Sequence, residues 1–168
     1  MLILVIGAKG GVGTTSLAWH LTRELKGVGL DAADGQLAAF LDRKTWTLAG
    51  LVFSGNQHQN VVDRIMRQRI SLLWSPECDL AGDKVWDIVQ AIADRSTIIA
   101  DGGIAPLPQI AERANAILII GAWGNPVSVY HERKLKQQFP SASVVTLDLA
   151  RSRTVTKDTA RELAANLG

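Results

Sequence analysis

Cysteine is almost missing from this 168-residue chain. The single thiol, Cys78, excludes an internal disulfide and fits a reducing compartment. An excess of either charge is missing too. The 18 Lys and Arg against 16 Asp and Glu leave a formal +2, too little to imply a nucleic-acid partner. No apolar run approaches the roughly 20 residues that span a bilayer. The first such run, 2–6, has no basic segment before it and reads as a strand rather than a signal peptide. His20, His58 and His131 stand alone, and no His or Cys cluster has metal-ligand spacing. Repeats, low-complexity tracts and linkers are also lacking. What remains is a cytoplasmic single domain over 1–168, with 47% hydrophobic residues and enough length for a full core.

The most informative stretch is Gly7-Ala8-Lys9-Gly10-Gly11-Val12-Gly13-Thr14-Thr15-Ser16. It follows the apolar run Leu2-Ile3-Leu4-Val5-Ile6 and runs into Leu17-Ala18-Trp19-His20-Leu21. Strand, glycine-rich turn and amphipathic helix form the context a phosphate-binding loop needs. Glycines let successive backbone N–H groups converge on an anion, and the helix start adds unpaired N–H groups and a positive dipole end. Against the pattern G-x-x-x-x-G-K-[ST], the first glycine position is Ala8 and the lysine position is Thr14, while Gly13 and Thr15 fit.

Beyond the loop, helical and apolar segments alternate. Leu17, Leu21 and Leu25 mark a helix stopping near Lys26-Gly27, followed by an extended piece at 28–33 and then Asp34-Gly35-Gln36. Residues 37–57 have weak periodicity, with a turn at Ser54-Gly55-Asn56. Val61, Val62, Ile65 and Met66 share a helix face, and 70–74 is a short strand. The clearest amphipathic helix is 82–94, with Val85, Trp86, Ile88, Val89 and Ile92 inward. A strand at 97–100 ends at Asp101-Gly102-Gly103. A short helix at 106–114, a strand at 116–120, a helix at 127–138, a strand at 142–147 and a helix at 156–167 complete the chain. This alternation specifies an α/β fold with a mostly parallel twisted sheet and helices on both faces. The loop, Asp34 and Asp101 all follow strands at their carboxyl ends, where such sheets bind ligands. Asp34 and Asp101 also read as ordinary turn residues before glycine. Trp19 and Trp86 fit core faces, whereas Trp46 and Trp123 fall in loops where exposure permits binding.

The arrangement K-G-G-x-G-[KT]-[TS] resembles the deviant Walker loop of the MinD/ParA superfamily of P-loop ATPases. With Thr14 in the lysine position, the loop is similar to the degenerate loops of the CpaE/TadZ branch, whose members localise pilus and secretion machinery. The resemblance implies a P-loop NTPase fold binding ATP or ADP with Mg²⁺. Lys9, Gly10, Gly11, Val12, Gly13, Thr14, Thr15 and Ser16 would hold the phosphates, and Lys9 would reach the nucleotide of a partner copy. It implies Mg²⁺ on the Thr15 hydroxyl and, through water, on Asp101, with Lys9, Asp34 and Asp101 as the catalytic set. The family's D-x-D-P-Q switch can be laid on Ala32-Ala33-Asp34-Gly35-Gln36, which keeps Asp34 and loses the first aspartate to Ala32. Thr146-Leu147-Asp148 stands where an asparagine reads adenine in many members, leaving Asp148 as the acceptor for the base. Thr14 cannot neutralise phosphate charge, so slow or absent hydrolysis is expected. The implied role is a positioning or assembly factor for pilus, secretion or conjugation machinery that forms a homodimer on binding ATP. Two alternatives stay open: a DNA-partitioning ATPase, and an interaction module that has abandoned nucleotide. For DNA speaks the segment from His131 to Arg161, with seven basic and three acidic residues, though this also reads as a solvated face. The last helix is too weakly amphipathic to imply membrane binding.

Overall fold

The computed structural model describes residues 1–42, 44–54, 58–148 and 152–167, leaving aside the side chains of His58, Gln59 and 152–156. The first strand, β1 (Leu2–Gly7), is buried along its whole length. Leu2, Leu4 and Ile6 enter one core cluster, and Ile3 and Val5 enter another on the opposite face. A continuous apolar run is what a strand covered on both sides requires, because alternate residues point to opposite faces.

The remaining elements are α1 (Thr14–Glu24), β2 (Val28–Asp31), α2 (Gln36–Leu41), β3 (Thr45–Thr47), α3 (Leu48–Phe53), α4 (His58–Gln68), β4 (Ser71–Leu73) and α5 (Glu77–Ala81). They continue with α6 (Asp83–Ala93), β5 (Ile98–Asp101), α7 (Pro108–Arg113), β6 (Ala116–Ala122), α8 (Pro126–Gln138), β7 (Ser143–Leu147) and α9 (Ser152–Leu167). The strands form one seven-stranded sheet in the order β3-β4-β2-β5-β1-β6-β7, and every described pairing is parallel. Helices α1, α2 and α9 cover the face of Ile3 and Val5; α3 to α7 cover the other, with Leu135 of α8 packed at its margin. The expected α/β architecture is present, and its sheet is entirely parallel among the described residues.

The long irregular reading of 37–57 resolves into short elements, α2, β3 and α3, none long enough to show an amphipathic period. The expected turn at Ser54-Gly55-Asn56 lies partly outside the described residues. Trp46, expected in a loop, is on β3 and half-buried. The stop of α1 differs in detail. Lys26, not Gly27, takes the left-handed conformation (φ 51°). Gly27 is needed for close approach, since a Cβ there would stand 2.4 Å from the Thr97 carbonyl oxygen.

Strand order turns about β1. The chain goes from β1 to β2 on one side, while β6 and β7 lie on the other. That places a crevice outside the carboxyl end of β1, the usual ligand position in an open parallel sheet.

Candidate functional site

The loop leaving β1 occupies that crevice. Two backbone bonds anchor its start: Gly7 N–H donates to the Gly103 carbonyl (2.7 Å) and Ala8 N–H to the Ile120 carbonyl (2.8 Å). The neighbouring strands β5 and β6 thereby fix the direction in which the loop departs. Gly11 (φ 76°) and Gly13 (φ 91°) take left-handed conformations, which side chains strongly disfavour. Gly7 serves a different need, because a Cβ there would lie 2.3 Å from Thr14 Oγ1 and 3.1 Å from Val12 Cγ2. Val12 is buried and ties the loop to the core beneath α1.

None of the backbone N–H groups from Lys9 to Ser16 makes a hydrogen bond of good geometry to a described residue. The first bond beyond them is Leu17 N–H to the Gly13 carbonyl (2.9 Å). The unpaired donors therefore run from the loop into the first turn of α1, where the helix dipole adds partial positive charge. Lys9 is half-buried and has no ion pair with a described residue. Thr14 is buried, its hydroxyl over Gly7 beneath the loop.

Asp101 ends β5 beside the loop and is wholly buried. Its Oδ1 accepts from Gly103 N–H (3.1 Å), whereas Oδ2 has no hydrogen-bond partner of good geometry. Burial pushes the Asp101 carboxyl above its ordinary pKa; Thr15 and the Gly103 N–H pull it down, and the Asp31 and Asp34 charges push it further up. Thr15 thus faces Asp101, and Asp34 lies within electrostatic reach of Asp101. Among the described residues no group of three His, Cys, Asp or Glu side chains forms a metal cage. A buried, orphaned carboxylate oxygen beside a threonine hydroxyl nevertheless suits Mg²⁺, which keeps several waters and takes only one or two protein ligands.

The residue the sequence reading passed over is Asp31. It ends β2, is 1% exposed, and sits in register with Asp101 across the β2–β5 pairing. Its Oδ1 accepts from Ala33 N–H (3.2 Å) and Gly35 N–H (3.0 Å), and its Oδ2 from Ala38 N–H (3.0 Å). The switch-like segment therefore does carry an aspartate at its strand end, one residue before Ala32. Asp34 is exposed on the loop that Asp31 holds, with its carboxylate on Gln36 N–H (3.3 Å) and Gln36 Nε2 (2.7 Å). The missed signal was an acidic residue directly after the apolar end of β2.

Gly10 and Gly11 are exposed, Gly13, Thr15 and Ser16 are half-buried, and Asp148 is half-buried just past β7 with an interaction inside the chain. Three basic side chains of the C-terminal segment make contacts within the chain while staying exposed. Lys136 donates to the Ala142 carbonyl, Lys134 lies over the Tyr130 ring, and Arg161 meets Glu24 and Asp158. Arg151 and the Arg153 side chain lie outside the described residues, as does the His58 side chain. His20 stacks beside Trp19 and His131 beside Tyr130. Two clefts of about 550 and 680 Å³, one at β3–α3–α4 and one around Met1, Trp86 and Arg113, do not include the loop. No helix among the described residues is long and apolar enough to cross a membrane.

No family model and no curated protein matches the chain. Solved structures do. A ParA family ATPase from Chlorobium tepidum TLS superposes with a TM-score of 0.67 over 98% of this chain and 80% of that one, at 17% identity. A plasmid partition protein from Borrelia burgdorferi matches more loosely, with a TM-score of 0.49, 11% identity and coverage of 96% and 83%. A nucleotide-binding protein in complex with ADP from Archaeoglobus fulgidus has a TM-score of 0.45, 17% identity and coverage of 99% and 77%. The first of these likenesses establishes a ParA-like P-loop fold.

Proposed function

We propose that the protein binds ATP or ADP with Mg²⁺ in the loop at 9–16 and uses nucleotide occupancy to control its own dimerisation, with slow or absent hydrolysis. The observation that carries this reading is the row of unpaired amides from Lys9 to Ser16, continuous with the start of α1 and backed by Asp101. Such a row binds phosphate oxygens without any side-chain charge.

The roles follow from position. The amides of Gly10, Gly11, Val12 and Gly13 with those of Thr14, Thr15 and Ser16 cradle the phosphates. The Thr15 hydroxyl and Asp101 would be the residues that hold Mg²⁺, Asp101 acting through water. Mg²⁺ would supply charge neutralisation on the terminal phosphates. Lys9, with no ion pair among the described residues, is the group available to a second nucleotide across an interface. Asp34, held out by Asp31, is placed to orient a water. Asp148, just past β7, would accept from the edge of the base. Thr14 places a buried hydroxyl where a phosphate-neutralising lysine would start, which supports weak turnover.

A nucleotide switch of this kind suits a cytoplasmic positioning or assembly factor for pilus, secretion or conjugation machinery, in line with the CpaE/TadZ-like loop. A DNA-partitioning role has less behind it, since the chain's net charge is only +2 and Lys136, Lys134 and Arg161 each have a contact within the chain. Light scattering with and without ATP and Mg²⁺ tests the switch. The expected result is a doubling of molar mass on adding ATP, lost in Lys9→Ala although that variant still binds nucleotide. A Lys9→Ala protein that doubles as the parent does would refute the cross-interface role.

A further inference from the structure

Trp123 is 76% exposed, although the residue before it, Ala122, is buried at the end of β6. Full burial of a large apolar side chain is worth about 1.5–3 kcal/mol, so the exposure forgoes stabilisation. Nor is it the slack of a loose loop. Trp123 N–H donates to the Leu147 carbonyl (3.0 Å), Gly124 turns the chain at φ 71°, and Asn125 N–H returns to the Ala122 carbonyl (3.3 Å). On the far side, Asn125 Oδ1 caps α8 through Ser128 N–H (3.0 Å), and Ser128 Oγ accepts from Ala122 N–H (2.8 Å). Four hydrogen bonds pin this short turn, and the indole stands outward from it.

The turn stands beside the phosphate loop. β6 is the strand next to β1, and its Ile120 carbonyl receives the Ala8 N–H. Leu147, whose carbonyl fixes Trp123, has its Cδ1 3.5 Å from where a Cβ on Gly13 would be. The start of α1, Leu147 and Trp123 are therefore successive neighbours along one rim. Asp148, next on that rim, is already engaged within the chain.

We propose that Trp123 is the stacking platform for the base of a purine nucleotide whose phosphates lie in the loop; this rests on the nucleotide reading above. Stacking uses the face of the base and not its hydrogen-bonding edge, so it tolerates either purine. The site then takes ATP and GTP with affinities within a few-fold.

Calorimetric titration of ATP, GTP and inorganic tripolyphosphate, each with Mg²⁺, into the parent protein and into Trp123→Ala and Trp123→Phe tests this. A stacked base lost to alanine weakens ATP and GTP by about 5- to 150-fold and leaves tripolyphosphate unchanged. Phenylalanine keeps ATP within about three-fold of the parent, since it offers a smaller face of the same kind. Unaltered ATP affinity in Trp123→Ala overturns the proposal, including where nucleotide-dependent dimerisation is lost, because the tryptophan then serves the protein contact. Parallel loss of tripolyphosphate binding also overturns it, since the substitution has then damaged the loop. If the parent binds tripolyphosphate but gains nothing from the nucleoside, the stacking fails alone. If it binds neither, the nucleotide reading fails with it.

Discussion

Replacing Asp101 by asparagine is expected to stabilise the nucleotide-free protein while removing its response to Mg²⁺. Asp101 is inaccessible to solvent, its Oδ2 lacks a partner, and Asp31 and Asp34 add like charge. Its carboxyl is raised above the ordinary aspartate value of about 3.9, so the ionised form is less favourable in the folded than in the unfolded state. Below that value both states are protonated and nothing is lost. As pH rises through it, the unfolded chain gives up its proton first and stability falls, until the folded carboxyl has also ionised. Above the folded-state pKa the penalty stands in full. An unsatisfied buried polar group costs about 1–3 kcal/mol, and more when charged; asparagine removes the charge and can turn its NH₂ to the Thr15 hydroxyl, so a gain of about that size is expected. For a chain of this size that corresponds to a rise in Tm of about 2–12 °C for Asp101→Asn. Thermal unfolding followed by circular dichroism, without metal or nucleotide, reads it directly. The gain should shrink as the buffer is taken down toward the carboxylate range. Adding ATP and Mg²⁺ should stabilise the parent, whereas Asp101→Asn should gain no more from ATP with Mg²⁺ than without. A variant less stable than the parent at pH 7, or a gain independent of pH, would refute the reasoning.

Asp31→Asn tests the carboxylate holding the 33–38 segment. An amide has one acceptor oxygen, so its NH₂ must face either Ala38 N–H or the Ala33 and Gly35 N–H groups, costing about 1.5–3 kcal/mol. The expected fall in Tm is about 3–12 °C, with faster hydrogen exchange at those amides; an unchanged Tm would show that Asp31 bears no such load. Thr14→Lys restores a phosphate-neutralising charge in the loop. It should tighten ATP binding or raise turnover by of order 10²-fold, and a folded variant with both unchanged would show that the loop does not approach the terminal phosphates.

How much of this was legible in the sequence depended on how far each signal reached along the chain. Strands β1, β5 and β6 are continuous apolar runs and the helix at 83–93 has a full amphipathic period, so local pattern announces them. The elements α2, β3 and α3 span six residues or fewer, and tertiary packing, not periodicity, decides them. Asp31 was hidden for a different reason. The motif alignment pointed to Ala32, and only the backbone shows that the strand ends at Asp31 and turns three amides onto its carboxylate. Thr14 was legible as a missing charge, but not as the side chain that occupies the space above Gly7.

The unsatisfied groups are what separate a functional edge from a merely exposed one. Elsewhere the fold leaves little unresolved: apart from Asp101 Oδ2, the buried side-chain atoms without partners among the described residues are the neutral hydroxyls of Ser71 and Ser75. At the carboxyl edge of β1, by contrast, a carboxylate oxygen, a row of backbone donors, a lysine and a rigidly presented indole find no partner of good geometry among the described residues. Thr15 and the Gly103 N–H relieve the carboxylate only in part, and the exposed loop donors are left to solvent. A polyphosphate with a cation and a flat base has acceptors for the amides, a counter-charge for Lys9, ligand positions for Asp101 and a face for Trp123. One ligand class therefore accounts for four separate deficits, whereas a ligand-free protein-contact surface explains the indole and leaves the amides and the buried carboxylate without a reason.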